Sequence, residues 1–361
     1  LSVSALVLLA VTAGSASALS IGRTPDPTWQ ANGRVLAILR VGNVVYLGGE
    51  FTQVMAHGGG KKATRNHLAA FNATTGNLLS WNPNADDSVR SLAGAVNGTV
   101  IFAGGDFRHV GGGAHSRVVK LNAGGAGKPM RWSASANGVV RTVKAANSKL
   151  YMGGDFTSVN GHARARLAAV GVAGGAIQSW APRANAAVRA VLPVGSRVFI
   201  GGDFLTVNGK AQQHLVVVNG KTGVLLPWAS HPGGGVNVLQ ATTKRLFEGD
   251  SGGGGHVRAY GVKVGHLLWT NTTDGNVEGL ALLGKDVIAG GHFNQMGAFH
   301  RKHLGAINKV TGRVDTTWNP EANSALGVFS AFASGNVLFV GGDFTAWQPG
   351  NVAQAHFARF S

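Results

Sequence analysis

The string Gly-Gly-Asp-Phe, intact or degenerate, recurs seven times in this chain, which restricts it to a repeat architecture. The copies are Gly48-Gly49-Glu50-Phe51, Gly104-Gly105-Asp106-Phe107, Gly153-Gly154-Asp155-Phe156 and Gly201-Gly202-Asp203-Phe204. Then come Glu248-Gly249-Asp250-Ser251, Gly290-Gly291-His292-Phe293 and Gly341-Gly342-Asp343-Phe344. Each follows a short apolar run such as Val44-Val45-Tyr46-Leu47. Tryptophan keeps the same beat at Trp29, Trp81, Trp132, Trp180, Trp228, Trp269 and Trp318. Units therefore begin near those positions with a period of about 48 residues, the size range of propeller and solenoid repeats.

One unit shows the local pattern. From Trp132 onward, Val139-Val140-Arg141-Thr142-Val143 suits a strand, Ala146-Asn147-Ser148 a turn, and Leu150-Tyr151-Met152 a second strand. A loop rich in His and Arg precedes a third strand, Leu167-Ala168-Ala169-Val170. Gly174-Gly175 reads as a turn and Ile177-Gln178-Ser179-Trp180 as a fourth strand. Such runs between turn residues predict a small antiparallel sheet, and helical periodicity is absent. Seven four-stranded units predict an all-β fold, a seven-bladed β-propeller; a β-solenoid fits less well because its coils are shorter. Asp26-Pro27-Thr28-Trp29 looks like the end of an outer strand, and Phe357-Ala358-Arg359-Phe360-Ser361 like a third strand. An N-terminal strand is thus expected to close the ring by completing the last blade.

The order Gly-Gly-Asp-Phe, a basic residue before Leu-Ala-Ala-Val/Phe, then Asn-x-x-Thr-Gly and Trp covers residues 26–361. Clear copies of its later part are Phe71-Asn72-Ala73-Thr74-Thr75-Gly76 and Ile307-Asn308-Lys309-Val310-Thr311-Gly312. The pattern resembles the delta-60-type repeat propellers of secreted bacterial proteins, frequent in high-GC actinobacteria. That resemblance implies an extracellular or cell-surface module and brings no catalytic residues. Gly48-Gly49-Glu50-Phe51 also spells a diguanylate cyclase signature, but that motif occurs once, in an α/β domain. Kelch propellers carry glycine pairs as well, yet their Trp follows sooner than the 27 residues separating Gly153 from Trp180.

Residues 1–18 read as an export leader, with an apolar stretch from Ala5 to Val11 and a small-x-small cleavage site at Ala16-Ser17-Ala18. One propeller domain is expected over 19–361, secreted and with no membrane span, since no other stretch reaches about 18 apolar residues. Cysteine is absent, which excludes disulfides and thiolate metal sites. With 32 Lys and Arg against 15 Asp and Glu, the net charge of +17 favours anionic partners.

Glu50, Asp106, Asp155, Asp203, Asp250 and Asp343 occupy one repeated slot and so read as blade architecture. Their expected partners are the basic residues before each third strand: His67, Arg117, Arg166, His214, His256, His303 and His356. His292 would then face His303. Trp81, Trp132, Trp180 and Trp318 read as structural on the same ground. Asp86, Asp87, Asp274 and Glu321 in connections between blades, with the scattered Asp26, Glu248, Glu278, Asp286 and Asp315, are the acids left for glycosidic chemistry. No nucleophile, zinc-protease or phosphate-loop motif is present. His162 and His300 lack a carboxylate to complete a metal shell, so no metal and no cofactor is expected.

The loops between second and third strands should share a face with the links between blades. They carry Lys61, Lys62, Arg65, Arg108, His109, His162, Arg164, Lys210, His300, Arg301 and Lys302, the expected ligand-binding residues. The resulting expectation is a non-catalytic binding or adhesion propeller, monomeric, that takes an anionic cell-wall polymer, a polysaccharide or an acidic protein surface. Nucleic acid is less favoured, because the loops offer few aromatic platforms besides Phe299 and Trp347. From other classes, the alternatives are an extracellular carbohydrate-active hydrolase or lyase and a structural envelope protein.

Overall fold

Each glycine pair ends the middle strand of a three-stranded antiparallel sheet in a computed structural model of the chain, which describes residues 19–361 apart from 96 and 231. The leader expected at 1–18 lies outside the described residues. Six such sheets are present among the described residues, with first strands Val35–Val41, Val89–Gly94, Val140–Ala146, Val188–Val194, Val277–Leu283 and Val328–Ser334, and a seventh blade beginning with Val236–Ala241 lies within a six-stranded sheet. Each first strand packs on the next, and the last packs on the first. The sheets thus stand as blades around an axis, and the fold is a β-propeller. Among the described residues the only helical element is a 3₁₀ turn at His57–Gly59, and no helix is long and apolar enough to cross a membrane.

The two glycines of each motif have separate physical jobs. A Cβ on the first would collide with the leading valine of the next blade: Gly104 faces Val140 Cγ1 at 2.6 Å. The series runs round the ring and ends with Gly341 against Val35 at the same distance. A Cβ on the second would strike backbone of its own blade, as Gly154 would strike the Val139 carbonyl, where a bulge shifts the register between Val140 and Thr142. The phenylalanine that ends the motif is fully buried in six blades, as Phe51, Phe107, Phe156, Phe204, Phe293 and Phe344. Each such ring stabilises the blade by about 1.5–3 kcal/mol relative to exposure.

The tryptophans tie blades together. Trp81 Nε1 donates to Asn122 O at 2.8 Å, Trp132 to Gly171 O, Trp180 to Asn219 O and Trp228 to Val262 O. Their rings stand edge-on or tilted against Tyr46, Phe102, Tyr151 and Phe199 of the preceding blade. Each therefore fills the seam between two sheets while satisfying its one donor.

Among the described residues, only the fifth blade has a complete fourth strand, Leu267–Thr273. Elsewhere that position narrows to single bridges such as Phe71↔Leu78 and Val218↔Leu225, where a tight Asn-x-x-Thr-Gly turn sends the chain off toward the next blade. The seventh blade is completed the same way by the N-terminal segment. Asp26 bridges Arg359, Gly22 N donates to Ser361 O, and Trp318 Nε1 donates to Gly22 O at 2.9 Å.

Candidate binding face and axial channel

The loops after the motif phenylalanines fold as small hairpins in six blades, for example Ser158–Val159 with His162–Ala163 and Thr206–Val207 with Lys210–Ala211. Each hairpin also pairs with the chain arriving from the preceding blade, as in Ala136↔Val159 and Ala184↔Val207. Loops and links therefore do share one face. A side chain from each link caps the start of its hairpin: Asn137 Oδ1 accepts from Thr157 N and Ser158 N, and Asn185 Oδ1 from Leu205 N and Thr206 N. Asn32 and Asn323 do the same. Asp86 and Asp274 stand in this slot too, so two of the acids left for catalysis are turn caps. Desolvation alone would raise the Asp86 carboxyl, but hydrogen bonds from His109 and Arg108 hold it down to about 2.

The expected ion pair between the acidic and basic slots does not form in blades two to four. Asp106, Asp155 and Asp203 pair instead with first-strand arginines, Arg90 at 2.5 Å, Arg141 at 2.8 Å and Arg189 at 2.9 Å. Glu50 pairs likewise with Arg34 at 2.5 Å. The basic slot bonds to backbone. Arg117 Nη1 donates to Asp106 O, Arg166 Nη1 to Asp155 O, and His67, His214, His303 and His356 donate from Nδ1 to Gly49, Gly202, Gly291 and Gly342 carbonyls. All six residues have φ between 61° and 70°, a left-handed turn that swings the side chain back over the motif's carbonyls. Among the described residues the Asp343 side chain meets only Ser324 Oγ, at 3.4 Å, since Phe329 stands where its arginine would be. His292 and His303 do stack, with centroids 6.4 Å apart, and burial lowers the His303 pKa.

The expected ligand-binding residues divide. Arg65, Arg164 and Arg301 occupy a repeated position two residues before the basic slot, and their guanidinium groups are engaged. Arg65 donates to Thr64 O and Leu79 O, Arg164 to Ala163 O and Gln178 O, and Arg301 to His300 O and Asp315 O. Arg301 is only 5% exposed. These three clamp the hairpin to the outer edge of the blade, with most of their guanidinium nitrogens taken by backbone carbonyls. His109 pairs with Asp86 at 2.7 Å and His300 with Glu321 at 3.5 Å, so acids from the links offset part of the basic charge on this face. Lys61, Lys62, Arg108, His162 and Lys210 are exposed, and Lys302 half-buried, with no side-chain partner among the described residues. Arg183, not anticipated from sequence, joins them beside a cleft of about 420 Å³ between the third and fourth blades.

The axial channel is lined by all seven first strands. At the residue after each leading valine, the ring reads Leu36, Arg90, Arg141, Arg189, Asn237, Glu278 and Phe329. Burial raises the Glu278 carboxyl to about 6, against the pull of Arg189 and with the push of Asp203. Deeper in the channel, burial lowers the pKa of Lys144.

The fifth blade departs from the others. The pairing Val236↔Asp250 matches Val188↔Gly202, so Asp250 fills the second-glycine position and Ser251 the acidic slot assigned to Asp250 from sequence. Asp250 and Glu248 are fully buried and share Arg258, at 2.9 Å from Glu248 Oε1. His256 Nδ1 approaches Asp250 at 3.0 Å, and Tyr260 donates to Glu248 at 3.1 Å. In this blade, unlike blades two to four, the basic slot does contact an acid.

Residues 100–126 match a family described as "Domain of unknown function (DUF5122) beta-propeller". No curated protein matches the chain in sequence. Among solved structures, the WD40 β-propeller domain of Doa1 superposes with a TM-score of 0.62 at 12% identity, covering 93% of this chain and 97% of that one. U3-55K gives 0.62 at 12%, covering 93% and 99%. A chain of the mitotic checkpoint complex gives 0.65 at 14%, covering 100% and 98%. At such identities the likeness carries the fold alone, and what it establishes is that this chain is built as a β-propeller.

Proposed function

We propose that this protein is a secreted, non-catalytic binding module that docks an anionic polymer across its hairpin face. The leader-like residues 1–18 and the resemblance to secreted repeat propellers support an extracellular setting. The observation that carries the reading is the set of exposed basic residues at hairpins of four consecutive blades. Lys61, Lys62, Arg108, His162 and Lys210 have no side-chain partner among the described residues, so the charge of the lysines and the arginine and the ring nitrogens of His162 are available to a ligand. A polymer lying across them would release condensed counterions, which makes affinity fall with salt.

The test is binding of polygalacturonate at about 50 and about 200 mM salt, the range over which counterion release is steep. Replacing Lys61, Lys62, Arg108 and Lys210 by Ser should weaken binding and flatten the log–log salt slope by up to about one for each cation removed. The fold should be unchanged, because none of these side chains has a hydrogen bond or ion pair among the described residues. Salt-independent binding, or equal binding by the fourfold variant, would sink the proposal.

A further inference from the structure

The axial channel carries charges that the hairpin face does not use. Its free volume is about 170 Å³. At ~30 Å³ per water that is room for about five or six waters, which suits one small molecule and not a polymer chain. The wall is strongly asymmetric. Blades two to four present adjacent arginines, blade six a carboxylate, and blades seven and one the apolar Phe329 and Leu36.

Most of the charge is already balanced. Asp106 neutralises Arg90 through Nε, and Asp155 and Asp203 neutralise Arg141 and Arg189 through Nε and Nη2, leaving Nη1 of Arg141 and Arg189 without a hydrogen-bond partner among the described residues. Two channel groups remain uncompensated by contact. The Lys144 ammonium has no hydrogen bond or ion pair among the described residues, and the Glu278 carboxylate accepts none. They belong to the third and sixth blades, three steps apart in a ring of seven and so on opposite sides of the axis. The channel is therefore close to neutral overall but dipolar. A net anion would gain at Lys144 and lose at Glu278, whereas a ligand with both charges satisfies each pole.

We propose that the axial channel binds a zwitterionic small molecule of the amino-acid class with an apolar side chain. Its carboxylate lies toward Lys144 and the free Nη1 groups of Arg141 and Arg189, its ammonium toward Glu278, and its side chain against Phe329 and Leu36. This site is separate from the hairpin face and stands or falls independently of it.

Calorimetric titration of the whole protein with L-leucine and L-phenylalanine, and with leucinamide and N-acetyl-leucine, tests both poles. Each blocked analogue removes one charge-assisted bond and should bind about tenfold more weakly than leucine. Lys144→Gln should erase the preference for leucine over leucinamide, and Glu278→Gln the preference over N-acetyl-leucine. Neither side chain has a bonded partner among the described residues, so circular dichroism and melting should report folded variants. The Lys61, Lys62, Arg108, Lys210 fourfold variant should bind leucine normally. Absence of binding by both amino acids at about 10 mM, weaker than the millimolar range of a useful site, would overturn the proposal. So would tighter binding of glucuronate, a net anion, or both preferences surviving in the two variants.

Discussion

Blades two to four and blade five each set acids against arginine at the end of a middle strand, but at different depths. In blade three, Asp155 and Arg141 keep 32% and 30% of their side-chain surface in solvent at the mouth of the channel. In blade five, Glu248 and Asp250 have none, and Arg258 keeps only 9%. Among the described residues the fifth blade also lacks the hairpin, the Asn/Asp cap and the motif phenylalanine, so its loop from Asp250 to Gly255 is held from within. Asp250 receives the His256 amide at 2.7 Å and the Gly233 amide at 3.2 Å, anchoring both strand connections of that blade. The same residue types thus serve as a solvent-screened pair in one place and as a buried organiser in another. Burial decides their worth.

The largest effect should come from breaking the buried group. Arg258→Leu keeps the site apolar and filled but leaves two carboxylates in the interior without their cation. Removing one partner of a buried pair costs about 3–5 kcal/mol, against about 1 kcal/mol or less for a solvent-screened one. Urea unfolding at neutral pH should therefore show a far larger loss for Arg258→Leu than for Arg141→Leu. Equal losses would mean that depth makes no difference here.

A second contrast lies in pH. Burial, reinforced by Asp250, pushes the Glu248 carboxyl from 4.5 to about 7 despite Arg258 and Tyr260. The folded state then holds this proton more tightly than the unfolded chain does. Its contribution to stability is greatest below pH 4.5 and is lost as pH rises toward 7, up to about 3 kcal/mol. Glu248→Gln keeps the shape and removes the titration. Its melting temperature, measured against the parent protein, should gain steadily between those pH values. A constant offset would show that Glu248 does not titrate in that window.

The fold was legible in the sequence because its constraints are local and repeated. A glycine pair that must meet a neighbouring valine, and a tryptophan that must reach a neighbouring carbonyl, leave a mark every time they recur. The pairing of side chains was less legible. Asp155 and Arg166 sit 11 residues apart in a pattern that suggests contact, but a positive φ at Arg166 turns its guanidinium onto the Asp155 carbonyl. The true partner, Arg141, lies on a first strand, and its repetition at Arg90 and Arg189 is the signal that marks the slot. Arg301 is misleading for a similar reason. Its neighbours His300 and Lys302 make it look like one of a basic cluster, whereas its match to Arg65 and Arg164 marks it as a clamp. The register change in blade five leaves no local signal, since Glu-Gly-Asp-Ser aligns with Gly-Gly-Asp-Phe by letter as easily as one place away.

The smallest predicted effect is the one that most directly separates the two assignments. If Asp155 pairs with Arg141 through Oδ2, then Asp155→Asn and Arg141→Ala should be non-additive in stability. With about a third of each side chain in water, the coupling should be modest, about 0.5–1 kcal/mol at low salt, and smaller as salt screens it. Asp155→Asn with Arg166→Ala should instead sum, because Arg166 holds a backbone carbonyl that the first substitution leaves in place. Arg166→Ala alone should cost more than Arg141→Ala, since a half-buried carbonyl loses a charged donor while the solvent-facing Asp155 can turn to water. Coupling that appeared with Arg166 and not with Arg141 would reverse the assignment and return the repeated acid to the basic slot before the third strand.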